Sequence, residues 1–201
     1  MSHTERLKEI ISGLTDQTGL VDFYIEEAAK LERRDNSFIM CDMDDTLISR
    51  SHITDAEELL RINRGAAGNK LIINHFGINN IISRFYENQN PPQDIAKLLS
   101  PENSIILTAW VIEYQYRKRE SIWLTHIPIK IVWDGKDKIM ACIQHVLFVL
   151  KYIPSEIIIY EDRPQYFIQY RELIEWVLGC ELTIMKVVMD GNDGYKSIEQ
   201  D

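Results

Sequence analysis

The residues of this chain that could do chemistry together are Asp42-Met43-Asp44-Asp45-Thr46, Thr108, Lys136, Lys138 and Glu161-Asp162-Arg163. Aspartates at 42 and 44 are spaced so that one carboxylate can attack while the other moves a proton. Asp162 offers a third hard oxygen ligand, of the kind that suits Mg²⁺. Thr108 and a lysine supply a hydroxyl and a cation for an anionic group.

These residues follow elements that would bring them to one place. Phe38–Cys41 is a short continuous apolar run, and four more largely apolar runs follow at 105–107, 129–133, 157–160 and 182–188. Such runs suit strands buried on both faces of a parallel sheet. Helical patterns fall between them at 69–87, 94–99, 111–119, 137–152 and 165–178. Strands alternating with helices predict repeated βαβ units, and hence an α/β three-layer sandwich with a mostly parallel, Rossmann-like sheet. Ligands of open α/β sheets sit beyond the carboxyl ends of the strands. The residues after the first, second and fourth runs are Asp42-Met43-Asp44, Thr108-Ala109 and Glu161-Asp162-Arg163. Lys136 and Lys138 fall near the start of the helix after the third.

The chemistry of that set is specific. A phosphate monoester repels a bare carboxylate, and a divalent metal removes the problem by neutralising charge and bridging nucleophile to phosphate. Asp42, a main-chain carbonyl and Asp162 suit Mg²⁺, and Asp44 is counted in the metal set with them. Asp42 can form an aspartyl-phosphate. Asp44 can protonate the leaving oxygen, then take a proton from the water that hydrolyses the intermediate. Thr108 and a lysine would hold the phosphoryl oxygens.

The string FIMCDMDDTL resembles the first motif of the haloacid dehalogenase-like superfamily, hhhhDxDxT. IILT resembles the second motif, Lys138 at the opening of a helix the third, and IIIYEDR the fourth. The likeness covers the chain from Phe38 onward. It implies the sandwich fold, bound Mg²⁺ and the aspartyl-phosphate, with Asp42, Asp44, Thr108 and Lys138 catalytic and Lys136 the fallback lysine. Asp45 stands where many members have glycine. The E-D-R triplet resembles a subgroup that includes members linked to RNA repair, with Arg163 read as holding its loop through a salt bridge. Dehalogenases of this superfamily lack the second aspartate, so Asp44 points to phosphoryl transfer.

Substrate choice in the superfamily lies in cap insertions. The interval between the first two motifs is about 60 residues, much of it needed for the usual flap and first crossover helix, and that between the third and fourth holds little more than the helix 138–152. This predicts little or no cap and a phosphate carried on a large partner. The chain is similar to capless phosphotyrosine phosphatase domains of some secreted bacterial effectors. The expected partner is therefore a phosphorylated protein. Alternatives are a polynucleotide-end phosphatase and a catalytically silent binding module. Cysteine-based tyrosine phosphatases are excluded: the residues six past Cys41, Cys142 and Cys180 are Leu47, Phe148 and Lys186, so there is no C-x5-R loop.

Composition sets the remaining limits. With 201 residues and 45% hydrophobic content the chain can bury a substantial core. A net charge of −9 argues against nucleic acid, whose binders neutralise phosphates with basic faces. Three dispersed cysteines form no CxxC pair and read as buried hydrophobes. No signal peptide or membrane-length apolar run is read, so the expected location is cytoplasmic, or a host cell reached without a cleavable signal. Helices are predicted over 4–14 and 21–34, giving a helical extension over 1–36 and a catalytic domain over 37–201. The carboxyl end is read as polar and turn-rich. His75, His126 and His145 are read as structural, and Arg117-Lys118-Arg119 as the exposed end of a helix.

Overall fold

A computed structural model describes residues 18–48, 77–85, 89–109, 112–189 and 195–200. In chain order its elements are α1 (Thr18–Ala28), β1 (Glu32–Cys41), α2 (Ile78–Phe85), α3 (Gln93–Ala96), β2 (Ser104–Ala109) and α4 (Ile112–Ser121). They continue with β3 (Ile129–Val132), α5 (Asp137–His145), a π turn (Val146–Leu150), β4 (Tyr152–Glu161), α6 (Gln165–Leu178), β5 (Glu181–Met189) and β6 (Tyr195–Gln200). The six strands lie in the order β3-β2-β1-β4-β5-β6. All neighbours are parallel except β5 and β6, which are antiparallel.

The apolar runs are strands because both sheet faces are covered. Phe38 and Met40 of β1, Ile105 and Leu107 of β2, Ile157 and Ile159 of β4 and Leu182 and Ile184 of β5 join one core with α1, α5 and α6. Ile39 and Cys41, Ile106, Tyr160 and Val187 point the other way, into a second core with Ile95, Leu99, Tyr114 and Ile122. Successive strand residues face opposite sides, so burying both faces requires an unbroken apolar run. The division also follows the connections. Crossovers running from β1 out to β3 carry their helices on one face, and those returning through β4 to β5 carry theirs on the other, as a single crossover hand demands. The chain reverses direction across the sheet between β1 and β4, so the crevice between their carboxyl ends is where a ligand fits.

Several expectations need correction. The helix predicted over 21–34 is α1, which ends at Ala28, and Glu32–Arg34 belong to β1. They pair with Tyr152–Pro154 ahead of a register shift, so the polar stretch before Phe38 extends a strand. The boundary expected at 36/37 thus falls inside β1, and α1 contributes Val21, Tyr24 and Ala28 to the first core. The helix predicted over 137–152 ends in the π turn, where Lys151 takes φ 58° and starts the chain back into β4. Of the carboxyl end read as polar and turn-rich, Tyr195–Gln200 form β6, while 190–194 lie outside the described residues. The helix predicted over 4–14, and most of that over 69–87, lie outside the described residues. No helix among the described residues is long and apolar enough to cross a membrane.

Candidate active site

Asp42 is the first residue past β1, and its backbone N–H donates to Tyr160 O at 2.9 Å. That bond continues the β1–β4 ladder and sets Asp42 beside Glu161-Asp162 at the end of β4. The chain then turns tightly. Leu47 and Ile48 N–H both donate to Met43 O at 3.0 Å, and Asp45 N–H donates to Ile48 O at 2.7 Å. Met43, Leu47 and Ile48 are fully buried in the second core and pin the loop. Asp45 takes φ 59°, the left-handed region that favours glycine and that aspartate tolerates better than most residues.

Lys138 enters from the first turn of α5. The start of that helix is capped reciprocally. Asp134 Oδ1 accepts from Lys136 N–H at 2.7 Å and from Asp137 N–H at 3.3 Å, while Asp137 Oδ2 accepts from Asp134 N–H at 3.2 Å. So fixed, Lys138 buries its ammonium 2.8 Å from Asp42 Oδ1 and 2.6 Å from Glu161 Oε2. The Asp42 contact is an ion pair, without the alignment of a hydrogen bond. Of the two candidate lysines it is therefore Lys138 that meets Asp42, while Lys136 stays at the start of the helix.

Oxygens of Asp42, Glu161 and Asp162 lie within 4.8 Å of one another. Burial, then the Asp42 charge, pushes the Glu161 carboxyl well above its ordinary range, and the same two causes raise Asp162. Burial alone would lower the Lys138 pKa, but Asp42 and Glu161 together outweigh it and raise it. Three crowded carboxylates thus face one buried ammonium, with Arg163 Nε adding a contact to Asp162 Oδ2 at 3.3 Å from the exposed rim. The residues fit a hard divalent cation. The donors are all oxygen, and their mutual repulsion is what a second source of positive charge would relieve.

Asp44 lies apart from that cluster. Lys118 Nζ pairs with its Oδ1, and Gln115 Nε2 donates to its Oδ2 at 3.0 Å. Of the expected metal set, the structure thus groups Asp42 and Asp162, adds Glu161, and ties the Asp44 carboxylate to α4 instead. Thr108 is buried near the end of β2, one strand from Asp42, paired in register with Ile131.

The basic run on α4 is not a uniformly exposed end. Arg117 is exposed and pairs with Glu120 at 3.1 Å, and Arg119 donates to Ile127 O at 2.9 Å. Lys118, by contrast, is 1% exposed. Its signal in the sequence was helical spacing. Tyr114, Lys118 and Ile122 recur at i, i+4 and i+8 and share the buried face. Gln115, also fully buried, carried no such signal. His145 packs against Phe38, with ring centroids 5.5 Å apart, away from the carboxylates. His75 lies outside the described residues. Comparison with protein-family models, with curated proteins and with solved structures returned no match for this chain.

Proposed function

We propose that this chain is a Mg²⁺-dependent phosphomonoester hydrolase of the haloacid dehalogenase-like type, working through an aspartyl-phosphate on Asp42. The observation that carries the reading is the meeting of Asp42, Lys138, Glu161 and Asp162 at the carboxyl edge of the sheet, with three carboxylates within 4.8 Å. A lone nucleophilic carboxylate would not require two more beside it. A carboxylate that shares a cation with its substrate would.

Asp42 and Asp162, supported by Glu161, would hold the cation, which supplies positive charge to the phosphoryl oxygens. An Asp42 oxygen forms the new bond to phosphorus as the bond to the leaving oxygen breaks, and Asp44 gives that oxygen its proton. Water then attacks the phosphorus of the aspartyl-phosphate and loses a proton to Asp44, releasing phosphate and restoring Asp42. Lys138 and Thr108 hold the transferring oxygens, and Lys138, 2.8 Å from Asp42 Oδ1, also aims that carboxylate.

The substrate most in keeping with the site is a phosphoprotein, in particular a phosphotyrosine protein. Between Lys138 and Glu161 the chain holds only α5, the π turn and β4, so nothing is inserted there to roof the site. The other cap position includes residues outside those described. The net charge of −9 favours a protein over a polynucleotide.

The test is p-nitrophenyl phosphate hydrolysis with and without Mg²⁺, by the native chain and by Asp42→Asn. Metal-dependent turnover lost in the variant supports the reading, and turnover that survives the substitution refutes it. A panel of phosphotyrosine and phosphoserine peptides and of 3′- and 5′-phosphorylated oligonucleotides then fixes the class. Inactivity on every probe would leave a silent binding module.

A further inference from the structure

Asp44 is held by two buried side chains of one helix. Lys118 is 1% exposed and Gln115 is wholly buried, although both are polar. A lysine is rarely buried so fully without a dedicated partner, because removing an ammonium from water is costly. Here Nζ pairs with Asp44 Oδ1 and lies 4.1 Å from the centroid of the Tyr114 ring, a cation–π position. Gln115 divides its amide between Asp44 Oδ2 at 3.0 Å and Ala109 O at 2.9 Å. Ala109 directly follows Thr108, so the same amide ties Asp44 to the end of β2.

We infer that Lys118, assisted by Gln115, is the positioning residue for Asp44. The pair fixes the plane and direction of the carboxylate that exchanges protons with the leaving oxygen and then with water. The inference rests on the phosphohydrolase reading and deepens it. Asp44 sits in a short turn, and a carboxylate there would rotate freely about its side-chain bonds if nothing engaged it. Both of its oxygens are engaged from α4, Oδ1 by Lys118 and Oδ2 by Gln115. Holding a proton-transfer group in register matters because small misplacements cost large factors in rate. Lys118 touches neither phosphorus nor the leaving oxygen in this scheme and acts only through Asp44.

That role has a signature that a purely structural one lacks. Poor leaving groups need the proton more than good ones, so misplacing the acid penalises them more. The experiment compares p-nitrophenyl phosphate with phenyl phosphate, whose leaving group is the more basic, in Mg²⁺. The proteins are the native chain, Lys118→Met and Lys118→Arg, with cooperative unfolding checked for each. Lys118→Gln replaces the methionine variant if that one does not fold.

The expected result for Lys118→Met is a kcat lowered roughly 100-fold on phenyl phosphate and about tenfold on p-nitrophenyl phosphate, with KM changed less than about threefold. Lys118→Arg should recover most of the loss, since it keeps a cation on Asp44. Equal losses on the two substrates, a change confined to KM, or undiminished turnover would each overturn the inference while leaving the phosphohydrolase reading intact. A native chain that turns over neither substrate would remove that reading, and the inference with it.

Discussion

The Lys138 ammonium sits 2.8 Å from the Asp42 carboxylate, joining the first turn of α5 to the residue that follows the central strand. Glu161 holds the same ammonium at 2.6 Å from the end of β4. One cation therefore gathers three elements of the sheet edge. Both the lysine and its partners are less than a tenth exposed, so the energetic weight lies in what happens when one partner is lost. Lys138→Met keeps roughly the same volume and strands two buried carboxylates. Breaking a buried pair in this way costs about 3–5 kcal/mol. Urea unfolding without added metal should show that loss, and a change below about 1 kcal/mol would mean that the carboxylates find other partners.

Mg²⁺ should stabilise the fold through the same cluster. A cation bound by the folded chain at about 100 times its Kd adds roughly 2.7 kcal/mol, or on the order of 5–10 °C in Tm for a chain of this size. Asp162→Asn removes one donor charge and should reduce the shift to less than half. Equal Tm shifts in the native and variant chains, read by differential scanning fluorimetry, would place any bound cation elsewhere.

His145 gives the fold an acid-sensitive arm away from the site. Burial against Phe38 and then the charge of Lys130 lower its pKa to about 4 from an ordinary 6.5. The neutral ring is the folded form. Between these values the unfolded chain takes up a proton that the folded chain refuses. The contribution is thus complete above about pH 6.5 and lost as pH falls towards 4. Discounted for the partly exposed ring, it amounts to about 1–2 kcal/mol. His145→Gln should flatten stability against pH in that window relative to the native chain. Parallel curves for the two proteins would show that the ring titrates normally.

Two glycines should respond to alanine with opposite signs. Gly179 ends α6 at φ 64°, and a Cβ there would lie 2.6 Å from Arg33 Nη2. Arg33 uses that position to donate to Gly179 O at 2.5 Å, satisfying a carbonyl at the helix end. Gly179→Ala should cost about 1–2 kcal/mol through the left-handed backbone and the displaced guanidinium. Gly19 lies in the first turn of α1 with nothing within 4 Å of an added Cβ. Gly19→Ala should stabilise by about 0.5 kcal/mol. Thermal unfolding of both variants checks the pair, and a shift in the same direction would count against this account.

Local pattern by itself determined the apolar strand segments and the order of the corners. A strand buried on both faces must be apolar throughout, so Phe38–Cys41 and Ile157–Tyr160 marked themselves, and the acids after them fell at one sheet edge by topology alone. The helix 165–178 was legible to its last residue because Gly179 stops it. Tertiary structure decided what depends on a distant partner. Glu32–Arg34 are polar and Tyr195–Gln200 mostly so, and they are strands because neighbouring strands pair with them. Lys138 rather than Lys136 reaches Asp42 because the capped first turn of α5 aims it inward. Lys118 has the chemistry of a surface lysine, and it is buried with its ammonium paired to Asp44 and set over the Tyr114 ring. Charge can leave water when an opposite charge is waiting, and where that partner waits is a property of the folded chain.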